Sequence, residues 1–340
     1  MENTKINCNI LIIADGDIPS LYLTILHPLN LLRETHNINY TVKYAKDVFG
    51  QSINVLDAYN LIIFVRITFV EIFKKEALYA LNKQIPVIYI LDDDLATLHA
   101  HAEAKYRYGE VIRNFIQLAT TTIVTTEYLY NKYKAWSNNI KIINGHIDLE
   151  LFKSFNIVKN YTNPILRIGY ASNDHNYANL KIALPALVNI LKKYPNVSLE
   201  IFYKKLPSEL VNFPNVQRFN PIPNLTDYYK FAASRNWDVG IAPLSDTEFN
   251  RAKSNNKYRE YATLKVPGIY SDIAPYHFIT NNGIICKDGD WEVALNSLLT
   301  NPIKRQEIAD IAFNHVSQMY SKETVSSTFV SIFKNCLRLP

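Results

Sequence analysis

Length, composition and charge describe an ordinary globular protein. The 340 residues are 48% apolar and 20% charged, and at about 150 residues per domain this length predicts two domains. The 36 basic and 31 acidic side chains leave a net charge of +5, without the concentrated basic stripe that is typical of nucleic-acid-binding proteins. We therefore expect no nucleic-acid partner.

The sequence predicts neither a membrane span nor a disulfide framework. Its apolar runs are much shorter than the roughly 18 residues that a membrane span needs, and its first residues lack the basic start of a signal peptide. Cys8, Cys286 and Cys336 are scattered and odd in number, which fits neither paired disulfides nor a metal site. We therefore expect a cytoplasmic protein.

In the first half of the chain, short β-branched runs alternate with longer amphipathic stretches. The runs predict strands at 8–14, 39–44, 61–66, 86–91, 122–125 and 140–143, and the stretches predict helices at 21–34, 70–82, 103–118 and 127–136. The strands are apolar on both faces, which indicates a parallel sheet covered by helices on both sides.

After a polar segment at 156–164, the alternation starts again. Strands are predicted at 166–171, 198–203, 216–219, 238–243, 268–271 and 283–286, with helices at 179–193, 227–234, 254–264, 291–299, 302–320 and 322–336. The fold class is therefore α/β, with two doubly wound, Rossmann-like domains facing across a cleft. We place the first domain at 1–155 and the second at 164–318.

The segment from Asp238 to Tyr261 carries the most information about function. A buried strand ends at Pro243, a polar loop follows, and a helix is predicted to begin near Lys253 and Ser254. In doubly wound sheets, ligands bind at the carboxyl ends of the strands. This loop and the start of the helix therefore form a candidate binding site.

Two interpretations of this segment are open. Lys253, Lys257 and Glu260 are spaced i, i+4, i+7, so on one helix they would share a face. Free N–H groups at the helix start and two ammonium groups would bind a diphosphate, while Glu260 would accept ribose hydroxyls. Alternatively, the helix is solvated, and Lys257 and Glu260 form a surface ion pair of little energetic weight.

The same segment resembles the donor-site signature of GT-B glycosyltransferases of the retaining family-four (group 1) type. It is most similar to a bacterial subgroup with the pattern Phe-Asn-x-x-Lys-Ser-x-x-Lys-x-x-Glu, which here runs from Phe249 to Glu260. Other segments resemble the family in the same order: Val87–Leu95 with three aspartates, Asn144–Asp148 with one extra residue, and Ile168–Ser172 followed by His175. The resemblance spans about residues 8–300.

The resemblance implies a role for each matching residue. Glu260 would hold the ribose of the nucleotide, while Lys253 and Ser254 would meet its diphosphate. The loop after the first strand of the second domain, with Ser172 and His175, would line the nucleotide-sugar site. The resemblance also implies that the C-terminal helix, 319–340, packs back on the first domain.

The sequence departs from the family pattern at two places. The first glutamate of the family's paired-glutamate motif aligns near Ala252, so Glu248 or Asn250 would have to replace its contact to the donor sugar. The family's arginine and lysine after the first strand of the second domain are also absent. The corresponding charges would come from Lys253 and Lys257.

Asp92, Asp93 and Asp94 directly follow a buried strand. Adjacent carboxylates repel, so one of them would hold its proton more tightly or pair with a cation. Asp92 and Asp93 would orient or deprotonate an acceptor hydroxyl, and with Lys253 they are our candidate catalytic residues. Two alternatives are open: capping of a helix near Leu95, or an Asp-x-Asp metal motif that bridges the diphosphate.

Two further positions follow predicted strands of the first domain. Gly16 is the only glycine of the loop 15–20, which we expect to form an acceptor-side or diphosphate-side wall and include in the nucleotide-sugar site. Arg66 ends another strand. It would either meet a phosphate or pair with the three aspartates.

We predict a glycosyltransferase that moves a sugar from a nucleotide-diphosphate sugar to a glycan, lipid-linked or protein acceptor. The resemblance implies retention at the anomeric carbon, no essential metal, no bound cofactor, and a place in bacterial surface glycan biosynthesis or protein glycosylation. Lys132, Lys134 and Lys141 would form either a peripheral contact with the inner membrane face or a solvated surface. The alternatives are a non-catalytic GT-B partner subunit, a sugar-nucleotide epimerase, or a metal-dependent transferase that uses Asp92 and Asp94.

Overall fold

The structure, a computed structural model, describes residues 5–98, 108–172, 178–287 and 289–339. The predicted site residue His175 lies outside these ranges. The chain divides into two compact units. The first comprises Met1–His146, Ala252–Ser254 and Tyr320–Pro340, and the second comprises Ile147–Arg251 and Asn255–Met319.

Within the described residues, the first unit contains a parallel sheet of six strands in the order β2-β1-β3-β4-β5-β6. These strands are β1 (Asn7–Ala14), β2 (Asn37–Tyr44), β3 (Leu61–Val65), β4 (Val87–Leu91), β5 (Thr121–Val124) and β6 (Ile140–Ile142). The strand order reverses between β1 and β3, which is where doubly wound sheets bind ligands. Ala14 lies opposite both Tyr44 and Val65, and Val65 lies opposite Ile90. The carboxyl ends of β1 to β4 therefore form one edge.

The second unit repeats this design, with six described strands in the order β12-β11-β10-β7-β8-β9. They are β7 (Leu166–Ala171), β8 (Val197–Phe202), β9 (Val216–Phe219), β10 (Val239–Ala242), β11 (Gly268–Ser271) and β12 (Ile284–Cys286), all parallel to their neighbours. The order reverses between β7 and β10. The loops after these two strands therefore flank the expected ligand position.

Helices connect the strands. The α-helices of the described chain are α1 (Pro19–Leu21), α2 (His27–Thr35), α3 (Ala45–Val48), α4 (Val70–Ile72), α5 (Leu78–Asn82), α6 (Leu95–Leu98), α7 (Tyr108–Leu118), α8 (Glu127–Tyr133), α9 (Leu149–Ser154), α10 (Leu184–Lys193), α11 (Leu225–Arg235), α12 (Glu248–Ala252), α13 (Asn256–Thr263), α14 (Trp291–Leu299), α15 (Pro302–Met319) and α16 (Lys322–Leu337). A π-helical turn at Tyr22–Leu26 joins α1 to α2, and another at Phe73–Ala77 joins α4 to α5.

Alternation along the strands builds two apolar layers in the first unit. Leu11 and Ile13 face one hydrophobic cluster, whereas Ile10 and Ile12 face the other, as the two-residue period of a strand requires. The second cluster includes Phe329 and other residues of α16. The C-terminal helix therefore completes one layer of the first unit.

Two glycines allow side chains to approach the second sheet closely. A Cβ at Gly240 would lie 2.7 Å from the ring of Tyr261, and a Cβ at Gly169 would overlap the ring of Trp237. The Tyr261 hydroxyl donates a hydrogen bond to Ile241 O at 2.8 Å. Glycine at position 240 thus lets α13 pack directly on β10.

The helix predicted over 254–264 begins later than expected. Residues Glu248–Ala252 form the short helix α12, the helical path breaks at 253–255, and α13 begins at Asn256. The expectation that Lys253 shares a helix face with Lys257 and Glu260 is therefore wrong. The break occurs because Ala252–Ser254 packs within the first unit.

None of the described helices is both long enough and apolar enough to cross a bilayer.

Candidate functional site

The carboxylate of Glu260 is held in a buried cluster of the second unit. Glu260 lies on α13 and is 7% exposed. Its Oε2 atom accepts hydrogen bonds from Lys257 Nζ at 2.6 Å and from the Tyr228 hydroxyl at 3.0 Å. Among the described residues, both of these bonds end on Oε2, which leaves Oε1 to accept a ligand hydroxyl. The ion pair between Lys257 and Glu260 thus involves a buried carboxylate rather than a solvated one.

Tyr228 is the residue of this cluster that the sequence did not indicate. Burial, followed by the charge of Glu260, raises its pKa well above the ordinary value, so the phenol keeps its proton and donates it. Its ring also lies 5.1 Å from Lys257 Nζ, within the range of a cation–π contact. Because Tyr228 lies on α11, 32 residues before Glu260, no short motif contains both.

The start of α13 is arranged for an anion. Its N-cap residue, Asn255, makes no side-chain capping hydrogen bond, and the first turn contains no acidic residue. The N-terminal N–H groups of a helix carry partial positive charge, and here the Lys257 ammonium lies in the same turn. A phosphate group is the ligand that such an arrangement favours.

Asn250 belongs to a buried network at the reversal point of the second sheet. It is 6% exposed, and its Nδ2 donates to Asn179 Oδ1 at 3.0 Å and to Ser245 O at 2.9 Å. Asn179 Oδ1 also accepts from Ser245 N at 3.0 Å. This network ties the chain after β7 to the loop after β10, so in this structure Asn250 positions the loops. Ser172 directly follows β7 at the same edge.

The segment Ala252–Ser254 is held by the first unit. Ala252 is fully buried in a hydrophobic cluster there, and its carbonyl accepts a hydrogen bond from Thr126 Oγ1 at 3.2 Å. The Ser254 and Thr125 hydroxyls lie 3.0 Å apart. A glutamate at position 252 would place a charge in this apolar cluster, which is costly. Glu248, one suggested replacement, is exposed on α12.

Arg66 joins the two candidate catalytic aspartates. Its Nη1 lies 2.8 Å from Asp92 Oδ1 and 2.9 Å from Asp93 Oδ2, so pairing is the interpretation of Arg66 that the structure supports. Burial and the charge of Asp92 raise the pKa of Asp93, while Lys253 and Arg66 partly oppose that rise. Asp93 and Lys253 therefore lie close enough to influence each other.

The backbone of Arg66 is unusual. Its φ of 57° lies in the left-handed region, which is costly for a residue other than glycine and is often found at functional sites. This conformation occurs directly after β3, at the reversal point of the first sheet. From this position the Arg66 guanidinium reaches the carboxylates of Asp92 and Asp93, which directly follow β4.

Asp94 has a different set of partners. Its side chain is fully buried, with Oδ2 at 2.5 Å from Lys132 Nζ and Oδ1 accepting from the Tyr133 hydroxyl at 2.7 Å. Burial would raise the pKa of Asp94, but the hydrogen bonds from Lys132, Thr97 and Tyr133 hold it below the ordinary value. Thr97 N also donates to Asp94 Oδ1 at 3.3 Å, as helix capping predicts.

This arrangement does not favour the Asp-x-Asp metal interpretation, because Asp92 and Asp94 bond to different cations. As a separate finding, no group of three or more His, Cys, Asp or Glu side chains suited to a metal ion occurs among the described residues. Since Lys132 pairs with Asp94, it is not one of a row of solvated lysines. Lys134 donates to Asn131 Oδ1 at 2.7 Å on the same helical segment.

Gly16 lies elsewhere on the carboxyl edge of the first sheet. It lines a surface cavity of about 420 Å³ together with residues that follow β1 and β2. Apart from Gly16, Ser172 and Ser254, the predicted site residues that the structure describes form three groups. Lys257 and Glu260 share the cluster on α13, Asp92 and Asp93 share the pair with Arg66 near Lys253, and Asn250 lies in the network below the loop after β10.

No protein-family model matches the sequence, and no curated protein is significantly similar to it. Solved structures, however, share its fold. HepE (Alr3699) of Anabaena in complex with UDP has a TM-score of 0.70 and 15% identity, over 96% of this chain and 99% of that one. HepE has also been solved with UDP-glucose, with a TM-score of 0.68.

Two further structures extend the comparison. A glycosyltransferase from Rickettsia africae ESF-5 has a TM-score of 0.68 and 11% identity, over 98% of this chain and 99% of that one. A putative UDP-N-acetylglucosamine 2-epimerase from Listeria monocytogenes has a TM-score of 0.63 and 12% identity, over 98% and 97%. At such identities the likeness concerns the fold alone, and it confirms the predicted class: the chain has the two-sheet α/β fold of GT-B proteins.

Proposed function

We propose that this chain is a glycosyltransferase whose donor is a nucleotide-diphosphate sugar. The observation that carries the proposal is the buried carboxylate of Glu260, which lies beside Lys257 in the first turns of α13 and whose hydrogen bonds from the described residues both end on Oε2. A ribose offers two adjacent hydroxyls and a diphosphate offers negative charge. A carboxylate next to a cation and a helix start is complementary to both.

The solved structures support UDP as the first nucleotide to test. HepE of Anabaena has been crystallised with UDP and with UDP-glucose, and its fold covers 96% of this chain. We extend that ligand class to this chain as part of the proposal.

The chemistry required is loss of a diphosphate from the anomeric carbon. The bond from that carbon to the diphosphate oxygen breaks, negative charge grows on the leaving group, a bond to the acceptor oxygen forms, and the proton of the acceptor hydroxyl passes to the departing diphosphate oxygen. Lys257 and the N–H groups of α13 would stabilise that charge. Lys253, which the resemblance to GT-B glycosyltransferases matches to the diphosphate, is assigned to the same leaving group as part of the proposal.

Asp93 is the residue that we assign to the acceptor. In its ionised form it would accept a hydrogen bond from the attacking hydroxyl and hold the oxygen near the anomeric carbon. Arg66 fixes the carboxylates of Asp92 and Asp93 from one side. The proposal includes retention of the anomeric configuration and needs no metal ion, since Lys253, Lys257 and the helix start supply the positive charge.

A thermal-shift screen against UDP, GDP, dTDP and CMP tests the donor assignment, because a ligand that binds the folded state raises its melting temperature. We expect one nucleoside diphosphate to stabilise the wild type and to lose that effect in Glu260→Ala. Chromatography of the corresponding nucleotide sugar should then show release of the free diphosphate. Equal stabilisation of wild type and variant would contradict the assignment.

Epimerisation of a nucleotide sugar is the second candidate, favoured by the likeness to the Listeria monocytogenes 2-epimerase. The two reactions differ in their products. A transferase without acceptor releases the diphosphate slowly by hydrolysis, whereas an epimerase converts the sugar and keeps the nucleotide attached. Binding of a nucleotide sugar with neither product would indicate a non-catalytic partner subunit.

A further inference from the structure

A surface cavity of about 420 Å³ opens at the carboxyl edge of the first sheet. Its walls come from the loop after β1, the start of α3 after β2, and the segment after β3. Residues with ring or charged side chains make up most of the lining: Asp15, Asp17, Tyr44, Lys46, Phe49 and Phe69. The volume lies in the range of small-molecule sites.

The aromatic wall of this cavity is held in place but left uncovered. Phe49 is 48% exposed, which is unusual for so large an apolar side chain. Its ring meets the ring of Phe69 edge-to-face, with 5.8 Å between centroids and 86° between planes. The edge-to-face contact is a favourable geometry for aromatic pairs. It fixes the orientation of Phe49 and leaves part of the ring open to a ligand.

The polar wall offers one carboxylate whose orientation is fixed. Asp17 Oδ1 accepts a hydrogen bond from the Tyr22 hydroxyl at 2.7 Å, and this bond, with burial, raises the pKa of Tyr22 to about 12. Tyr22 therefore stays protonated and keeps the Asp17 carboxylate in one orientation. Asp15 provides a second carboxylate, and the Lys46 ammonium a single positive charge, at the rim.

We propose that this cavity binds a neutral or amino sugar residue of an oligosaccharide acceptor. The apolar face of a sugar ring would stack on Phe49, while its hydroxyls would donate to Asp15 and Asp17 and accept from Lys46. Two carboxylates against one lysine disfavour an acidic sugar. Binding of the saccharide stands on the cavity itself, and its role as acceptor rests on the proposed function.

The position of the cavity sets the length of the acceptor. Apart from Phe69, which follows β3, its lining residues lie at or directly after the carboxyl ends of β1 and β2, whereas Asp92 and Asp93 follow β4, on the other side of β3. Neighbouring strands lie about 4.8 Å apart, so β1 and β4 are separated by roughly 10 Å. This exceeds the width of one sugar ring. The ring bound in the cavity is therefore a neighbour of the residue that reacts, and the acceptor contains at least two linked sugars.

An array of immobilised saccharides tests binding without any nucleotide. It should carry neutral and amino-sugar oligosaccharides of two to six residues, the matching monosaccharides, acidic oligosaccharides and plain alkyl chains. We expect the wild type to bind a subset of the neutral or amino oligosaccharides. Phe49→Ala and Asp17→Asn should each weaken that binding by about tenfold or more, whereas Leu118→Ala, which removes an equally exposed side chain on α7, should leave it unchanged.

The opposite results would overturn the proposal: no neutral or amino saccharide binds, the alkyl or acidic probes bind instead, or the cavity variants bind as well as the wild type. Phe49→Ala should still be stabilised by the nucleotide that stabilises the wild type. If Phe49→Ala loses saccharide binding but keeps nucleotide binding, the substitution has affected only this cavity. Failure of nucleotide binding in the wild type would instead count against the donor assignment.

Discussion

The hydroxyl oxygens of Thr125 and Ser254 lie 3.0 Å apart, across 129 residues of chain. Thr126 Oγ1 donates to the carbonyl of Ala252 nearby, and the side chain of Ala252 is buried in the core of the first unit. The segment that resembles one continuous donor motif is therefore divided, because α13 belongs to the second unit. We expect the two parts to contribute differently to nucleotide binding and to transfer.

Replacing Lys253 with alanine should slow transfer more than it weakens nucleotide binding. The ammonium is assigned to charge that grows on the leaving diphosphate, and loss of one such stabilising group typically costs about 10²-fold in kcat. Lys74→Ala, which removes an exposed lysine of the first unit, is the matched control and should remain fully active. Initial rates and calorimetric nucleotide affinities measure the two effects separately. A normal kcat in Lys253→Ala would show that Lys253 does not stabilise the leaving diphosphate.

Replacing Glu260 with alanine should weaken nucleotide binding by about 10²-fold. Hydrogen bonds to a charged group contribute roughly 1.5–3 kcal/mol each, and the carboxylate is expected to hold ribose hydroxyls. Glu307→Ala, at an exposed glutamate of α15, controls for general loss of acidic charge. Isothermal calorimetry with the nucleoside diphosphate checks the prediction. Unchanged affinity in Glu260→Ala would show that the ribose lies elsewhere.

The sequence predicted the fold class well because the buried parallel strands carry uninterrupted hydrophobic runs rich in β-branched residues, such as Leu61–Val65 and Val87–Leu91. It failed at Lys253, where local periodicity favours a helix. There the burial of Ala252 and the hydrogen bond of Ser254 to Thr125 break the helical path. Such tertiary contacts leave no periodic signal in a single sequence.

The candidate site was predictable where its residues are close in sequence and hidden where they are not. Lys257 and Glu260 are three residues apart, and their pairing follows from helical geometry. Tyr228 completes the same cluster from a different helix, and only the fold brings it there. Arg66 is an intermediate case. It directly follows β3, which neighbours β4 in the sheet, so the aspartates that follow β4 lie within its reach.

The fall of activity at low pH should follow the protonation of Asp93. Burial and the charge of Asp92 raise the pKa of Asp93, and its ionised form is needed to accept a hydrogen bond from the acceptor. Activity should therefore fall with decreasing pH above the range of an ordinary aspartate. Asp92→Asn removes the repulsion and should move this fall to lower pH. Arg66→Gln removes an attraction and should move it to higher pH.

These shifts are measured as kcat/KM against pH, and Asp57→Asn, at an exposed aspartate of the first unit, should leave the profile in place. Arg66→Lys should restore the wild-type profile in part, because it keeps the positive charge. A profile that moves in neither Asp92→Asn nor Arg66→Gln would exclude Asp93 as the titrating group.

Asp94 should contribute to the stability of the fold, and it should not act as a metal ligand. Its carboxylate is fully buried against Lys132 and Tyr133, and removing one partner of a buried ion pair costs about 3 kcal/mol or more. Urea denaturation of Asp94→Asn should show that loss.

A chelator should leave the transfer rate of the wild type unchanged. Inactivation by the chelator, reversed by Mg²⁺ or Mn²⁺, would instead support the metal-dependent alternative.

Lys159 should make the protein more stable in alkaline than in neutral solution. Burial lowers the pKa of Lys159 from 10.5 to about 7, although Asp238 opposes the change, and its Nζ donates to Trp237 O at 2.7 Å. Below about pH 7 the ammonium is charged in both folded and unfolded chains, so the folded state bears the full cost of burying it. Between the two pKa values only the unfolded chain binds the proton, and the free energy of unfolding rises with pH.

Substitution of Lys159 by methionine should therefore raise the melting temperature most on the acid side, by about 2 °C at about pH 6 for each kcal/mol regained. The gain should shrink steadily toward about pH 10.5, where the wild-type lysine is neutral in the folded state and half neutral in the unfolded one, and it should stay constant at higher pH. Calorimetric scans of both proteins across this range measure the difference. A gain that is constant with pH would mean that the substitution acts by packing alone and that Lys159 keeps an ordinary pKa.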